Sequence, residues 1–199
     1  GWASAFWLVT LLGAISLTGL FWRLPELSGS EFIPLRRKLS VLVDGQVTVI
    51  LSVSLLAAIA SLGMYTFLAP LMSAPEYGGV ESITPFLWVW GIGGVAGSFL
   101  VGPMADRIKG PRMTLFIMLT LTLSLAVLPL IAFWSVWLAM VPILIWGAVG
   151  WALQVPQNNQ LLHVREQHGD GNLAVALNES ALYLGSAIGA AVGGMALAL

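Results

Sequence analysis

Six long apolar runs divide this chain, and its eight basic residues fall only in alternate gaps between them. Arg23, Arg36, Arg37 and Lys38 occupy the first gap, Arg107, Lys109 and Arg112 the third, and Arg165 the fifth; the second and fourth have none. A helix needs about 20 apolar residues to cross the hydrocarbon core, because inside lipid each backbone N–H and C=O must be paired within its own segment. Ser4 to Trp22, Val47 to Leu71, Pro85 to Ala105, Met113 to Ala132, Val136 to Leu153 and Leu173 to Leu199 meet that requirement. Lys and Arg that flank spans stay on the cytoplasmic side. The odd gaps therefore read as cytoplasmic, the even gaps as external, and both Gly1 and Leu199 as external. The fold this dictates is an all-α, polytopic helical bundle in a membrane.

Composition excludes the main alternatives. Charged residues are 9% of the chain, against about 25% in a soluble domain, too few to cover a water-exposed surface. No acidic or basic tail suggests nucleic acid. Cysteine is absent, so neither a disulfide framework nor a Cys-based metal site is available. His163 and His168 lack a convergent carboxylate or cysteine motif and read as solvated, so no metal or cofactor is expected. Neither a phosphate-binding Gly-x-x-x-x-Gly-Lys-Ser/Thr loop nor Gly-x-Ser-x-Gly nor His-Glu-x-x-His occurs. An ion gradient is then a better energy source than ATP, and no enzymatic activity is expected. Trp2 to Trp22 has no basic n-region and is followed by further spans, so it reads as a spanning helix and not a signal peptide. The chain opens on Gly and stops inside an apolar run, which suggests an internal piece of a longer protein.

The block from Met113 to Val164 is uncharged and too long for one crossing. Phe133-Trp134-Ser135 divides it, with Trp134 and Trp137 suited to the outer aromatic belt, so a tight helical hairpin is expected. In the first gap, Phe32 to Val43 mixes apolar residues with Arg36, Arg37 and Lys38; it reads either as a short helix on the inner membrane surface or as a solvated basic linker. Tyr77-Gly78-Gly79 marks an outer turn and Gly169-Asp170-Gly171-Asn172 an inner one. Pro70, Pro129 and Pro142 predict kinks. The Gln157-Asn158-Asn159-Gln160 cluster reads as an inner helix end or loop, or as a border of the cavity.

Gly102-Pro103-Met104-Ala105-Asp106-Arg107-Ile108-Lys109-Gly110-Pro111-Arg112 joins the third and fourth runs. Physically it is a charged hairpin turn in which Gly102 permits close backbone approach, Asp106 can accept from helix N-terminal N–H groups, and the cations sit at the anionic leaflet. With one extra residue, Ile108-Lys109 in place of one, it resembles the Gly-x-x-x-Asp-Arg-x-Gly-x-Arg signature of major facilitator transporters. Gly1-Trp2 with Ala5-Phe6-Trp7 and Leu24-Pro25-Glu26 is similar to the sixth helix of the superfamily's drug:proton antiporters and sugar or purine efflux permeases. Tyr65-Thr66-Phe67-Leu68-Ala69-Pro70 resembles their seventh helix, and Leu177-Asn178-Glu179-Ser180-Ala181 continuing to Gly185 and Gly189 their eleventh. The resemblance implies that the chain supplies helices six to eleven of twelve. Residues 1–22 would be the last helix of an amino-terminal half, 23–46 a cytoplasmic linker, and 47–199 a carboxyl-terminal half lacking its final helix.

Gly93 and Gly97, and Gly185, Gly189 and Gly193, recur at four-residue spacing, which places each set on one helical face; close helix packing is the reading adopted, with cavity exposure the alternative. Glu179 is the ionisable side chain placed well inside an apolar run, seven residues past Asn172, or about 10 Å along a helix. A carboxylate at that depth is costly and burial favours its protonated form, so it can take up and release a proton; the other reading is a water-facing carboxylate near the entrance. Tyr65, Trp146, Trp151, Gln154 and Asn178 are candidate cavity residues, offering aromatic faces and a few hydrogen bonds; each can equally be a packing or interface residue.

The resemblance implies secondary active transport, with two halves rocking around a midplane site. The expected function is proton-coupled efflux of a small organic solute of drug, sugar or purine type across an inner (plasma) membrane. Its partners would be that solute, a proton or other coupling ion, the bilayer, and the absent amino-terminal half. A structural or receptor-like membrane protein, or a membrane-embedded enzyme, is the alternative.

Overall fold

In the computed structural model, residues 2–23, 34 and 40–197 are described. The chain separates into two units, Gly1–Leu35 and Arg36–Leu199. The first contains one helix, α1 (Trp2–Arg23). Its 22 residues make a rod about 33 Å long, enough to cross the hydrocarbon core. Phe6, Trp7, Leu12, Leu17 and Phe21 are exposed on every side, as suits a helix solvated by lipid. The hydroxyls of Thr10, Ser16 and Thr18 donate back to the carbonyls of Phe6, Leu12 and Ala14, which satisfies them inside the segment.

The second unit is built from α2 (Gly45–Ser73), α3 (Thr84–Ala105), α4 (Gly110–Trp134), α5 (Met140–Ala152), α6 (Gln154–Arg165) and α7 (Gly171–Leu197). With α5 and α6 forming one span, the described residues give six helices long and apolar enough to cross a membrane. Asp44 caps α2, its carboxylate accepting from the N–H groups of Gln46 and Val47. Proline opens the first turn of α3 and of α4, where its missing N–H costs nothing. The outer turn after α2 is a short 3-10 segment, Pro75–Tyr77, that ends on Gly78 at φ 114°. A Cβ at Gly78 would also lie 2.6 Å from the Val136 side chain. The uncharged block does split at Trp134, where α4 ends and a five-residue turn leads to α5.

Two helix pairs form the frame, α2 with α7 and α3 with α5, and α4 lies against α5 and α6. The main core gathers Leu68, Met72, Phe86, Ile117, Leu128, Ile143 and Trp146. A smaller one at the inner end holds Val41, Val47, Ile50, Leu51, Leu161 and Ala174. Glycine makes the pairs close. A Cβ on Gly93 would run into the Leu144 carbonyl, one on Gly97 into that of Ala148, and one on Gly147 into that of Trp90. On the other pair, a Cβ on Gly185 or Gly189 would lie 2.5 Å from the carbonyl oxygen of Leu55 or Ile59, and Gly193 faces the Phe67 ring. Backbone touches backbone at these points.

One sequence expectation changes. The fifth run does not end at Leu153: it breaks there and continues as α6 to Arg165. Pro156 supplies no N–H to the carbonyl of Ala152, which ends the α5 hydrogen-bond ladder while helical geometry resumes directly after it. Gln157 to Gln160 therefore belong to a helix, the first of the forms expected of them. A Cβ placed on Gly102 would meet no atom within 4 Å, and α4 has no side-chain N-cap hydrogen bond. The face of α3 that carries Gly102 has no neighbour within the described unit. Arg36, Arg37 and Lys38, and with them most of the expected surface helix or linker, lie outside the described residues.

Candidate functional site

The break between α5 and α6 sits beside a cavity of about 300 Å³, bordered by Ser61 of α2, Trp90 of α3, Trp151 and Gln154 on either side of the break, and Glu179 and Tyr183 of α7. Glu179 and Tyr183 are four residues apart and so share one helical face. Glu179 is half-buried. Among the described residues no cation pairs with it. Asn178, one residue earlier, turns the other way and is wholly buried.

Asn178 anchors a network of side-chain amides. Its Nδ2 donates to Asn158 Oδ1 at 2.9 Å and, more weakly, to Gln154 Oε1 at 3.5 Å. Gln160 donates to Thr114 Oγ1 at 2.9 Å, tying α6 to α4, and a Cβ on Gly110 would press on the Gln160 side chain. Gln154, Asn158 and Gln160 of α6 thus find partners on neighbouring helices, which offsets the cost of amides in a membrane segment. Three buried polar atoms among the described residues find no partner: Trp90 Nε1, Gln157 Nε2 and Asn178 Oδ1.

The aromatic wall is organised by Trp90, which the sequence reading did not single out. Tyr65 lies on it with ring centroids 4.6 Å apart, and Trp146 and Trp151 each approach at 6.0 Å in edge-on geometry. Trp146 is 1% exposed and its Nε1–H donates to Ser61 Oγ at 2.7 Å. It stands behind the cavity wall and holds it, while Trp151 and Gln154 border the space directly. Tyr65 reaches the cavity only through Trp90. The spacing of Trp90 from Gly93 and Gly94 put it on the glycine face of α3, a signal available in the sequence.

A second unanticipated cluster closes the inner end. Arg165, 7% exposed, makes a bidentate pair with Asp170 at 2.8 Å and reaches Asp44 at 3.0 Å. It joins the end of α6 to the starts of α7 and α2. Burial acts to raise the Asp44 carboxyl, but the hydrogen bond from Arg165, the N–H groups of Gln46 and Val47, and the Arg165 charge outweigh it and hold the group below its ordinary 3.8. Lys109 and His163 border a groove of about 710 Å³ beside Gly45 at this same end, so the turn before α4 and the last turn of α6 meet where α2 begins. Asp106 and Arg107 are placed in the turn before α4. Among the described residues no group of His, Cys, Asp and Glu could hold a metal ion.

A profile of the Major Facilitator Superfamily matches residues 1–190. This chain belongs to that superfamily. Over 194 residues it is 29% identical to the "Inner membrane transport protein YdhP" of Escherichia coli (strain K12), covering 98% of this chain and 49% of that protein. Over 196 residues it is 30% identical to the "Uncharacterized MFS-type transporter YfhI" of Bacillus subtilis (strain 168), covering 98% and 48%. The chain spans about half the length of the curated relatives it matches. No solved structure gives a significant match. Six spanning helices in a member of this superfamily make it a multi-pass integral membrane protein.

Proposed function

We propose that this chain is part of a secondary active transporter of an inner membrane, exporting a small organic solute, of drug, sugar or purine type, in exchange for protons. It supplies helices six to eleven, and the rest of the whole protein provides the facing wall of the cavity. The observation that carries this reading is Glu179: a half-buried carboxylate inside a spanning helix, bordering a cavity, with no cation beside it among the described residues. An ionisable side chain inside a span and beside a cavity is a candidate site for ion coupling, which is the role this reading gives Glu179. The family and the name of the Escherichia coli relative support transport; the apolar, aromatic lining supports an organic solute.

The test reconstitutes the whole protein in proteoliposomes with an imposed pH gradient and an internal pH-sensitive dye. A panel of organic amines, sugars and purines should contain solutes that dissipate the gradient. Glu179→Gln should abolish that dissipation and still exchange labelled solute for unlabelled. Flux with an unchanged pH dependence in Glu179→Gln would reject the proton-carrying role, and solute movement insensitive to a protonophore would reject the coupling.

A further inference from the structure

We infer that the groove at the inner end, between α2, α4 and α6, holds an anionic phospholipid of the inner leaflet, with its phosphate on Lys109 and His163 and the start of an acyl chain over Val49 and Ile50. This site is independent of which solute or coupling ion the protein handles. Charge comes first. Lys109 borders the groove on the side of α4 and His163 on the side of α6, and among the described residues no carboxylate lines it. Asp44, next to the groove in sequence, is turned to other partners: one of its oxygens accepts from the N–H groups of Gln46 and Val47, and the other from Arg165 at 3.0 Å. Glu166 stands 3.7 Å from His163, but the side chains of His163 and Glu166 are 86% and 76% exposed, so water screens that charge. Basic pockets between spanning helices on the cytoplasmic side attract anionic headgroups.

The order of the lining comes second, and it follows the order of groups in a lipid. Gln46 stands at the start of α2, Lys109 just before α4 and His163 in the last turn of α6, where the spans leave the hydrocarbon. One turn further in, about 5.4 Å along each helix, α6 presents Asn159 and Gln160 and α2 presents Val49 and Ile50. Cations thus meet the phosphate, amides the glycerol ester carbonyls, and aliphatic side chains the first methylenes. Gln160 is held in place by its bond to Thr114 and by Gly110, where a Cβ would lie 2.9 Å from it, so the wall between α4 and α6 is formed before the lipid arrives and loses little freedom on binding. The volume of about 710 Å³ falls within the roughly 300–1,000 Å³ of ordinary ligand sites. A further spanning helix or a second copy of this chain would lay an apolar face on Lys109, Gln46, Asn159 and His163 and leave them without acceptors, which is costly. An anionic lipid supplies those acceptors and an apolar tail together.

The test uses the whole protein in detergent, titrated with phosphatidylglycerol, phosphatidylcholine or glycerol phosphate, with bound molecules counted by native mass spectrometry. Phosphatidylglycerol should bind saturably and at least tenfold more tightly than phosphatidylcholine. Glycerol phosphate, which carries the phosphate without a chain, should not displace it at a hundredfold excess. Lys109→Gln should weaken binding about fivefold, the effect of one basic residue at an anionic surface, and the double variant Lys109→Gln, His163→Gln should carry one phosphatidylglycerol fewer than wild type at the same concentration. Val49→Trp, which fills the groove at constant charge, should weaken binding at least fivefold. Arg107→Gln and Arg112→Gln remove cations of the same turn that do not line the groove, and each should change the affinity less than twofold. All of these side chains are exposed, so every variant should keep the wild-type melting midpoint before lipid is added, which separates loss of the site from loss of the fold. Equal binding of phosphatidylcholine would overturn the inference, as would displacement by glycerol phosphate, which marks a site for free phosphate, or an equal loss in Arg107→Gln, which marks general attraction to the leaflet. Full binding in Val49→Trp or in the double variant would also overturn it.

Discussion

Replacing Arg165 by Met should be the most damaging single change at the inner end of this helix bundle. Arg165 and Asp170 have side-chain exposures of 8% and 4%, so the substitution leaves the Asp170 carboxylate buried without its bidentate partner. Breaking a buried pair in this way costs about 3–5 kcal/mol. The contact to Asp44, whose side chain is 25% exposed, adds little, because solvent screens it. With about 2–4 °C of melting temperature per kcal/mol in a domain of this size, a loss near 3 kcal/mol lowers the midpoint by about 6–12 °C. The assay is thermal unfolding of the purified whole protein followed by size-exclusion chromatography. Arg165→Lys, which keeps the charge and loses the planar fork, should fall between. Adding Asp170→Asn to Arg165→Met should restore much of the loss, since it removes the buried carboxylate that had faced the guanidinium. A midpoint unchanged in Arg165→Met, or no recovery in the double variant, would refute the view that α2, α6 and α7 are joined through this guanidinium.

The pH dependence follows from Asp44, whose folded-state carboxyl is depressed: its contribution to stability is complete above the ordinary 3.8 and is lost as pH falls through the lowered value. In Arg165→Met part of the depression goes, so the acid-induced loss of stability from Asp44 should be smaller than in wild type and should be complete at a higher pH. Gly189→Leu drives a side chain into the Ile59 carbonyl and the Gly63 backbone, neither of which can yield; a loss of about 3 kcal/mol or more should appear as poor yield of monodisperse protein, and normal yield would argue against the close contact. Trp146→Phe and Ser61→Ala each break the bond of 2.7 Å between them, and each should cost about 1–3 kcal/mol. The double variant should cost clearly less than the sum, and strict additivity of melting shifts would show that the bond contributes nothing.

What was legible in the sequence was whatever lipid imposes on every span. Run length and the placement of cations gave the helices, and the Trp134 hairpin followed from an uncharged stretch too long for one crossing. Gly93, Gly97, Gly185 and Gly189 stood out because four-residue spacing needs no tertiary knowledge. The continuation of the fifth span past Leu153 was not legible, since four consecutive amides read as a helix end or a loop unless the bonds of Asn158 to Asn178 and of Gln160 to Thr114 are known. Arg165 read as a marker of sidedness. Its role in pairing depends on Asp44, 121 residues away, although Asp44 and Asp170 each precede an apolar run in the manner of a helix cap. For the cavity, Trp151, Gln154 and Glu179 were named from sequence, but Trp90 was not: its spacing from Gly93 and Gly94 was visible there, while the neighbours that reach it across α3 and α5 were not.

The unpaired groups carry one further step of argument. In hydrocarbon surroundings an unmet donor or acceptor costs about 1–3 kcal/mol, and elsewhere along the spans hydroxyls such as Ser52, Thr66, Thr120 and Thr122 are satisfied by their own helix. Trp90 Nε1, Gln157 Nε2 and Asn178 Oδ1, the buried side-chain atoms left without partners among the described residues, come from α3, α6 and α7, the helices that also supply Trp90, Gln154 and Glu179 to the cavity. Local dissatisfaction in an otherwise consistent fold marks the place where another state or a ligand completes the bonding. The Pro156 break supports this, because a span interrupted beside the cavity can move α6 without unwinding α5. On the transport reading proposed above, Trp90, Gln157 and Asn178 are the residues expected to change partners when a solute enters.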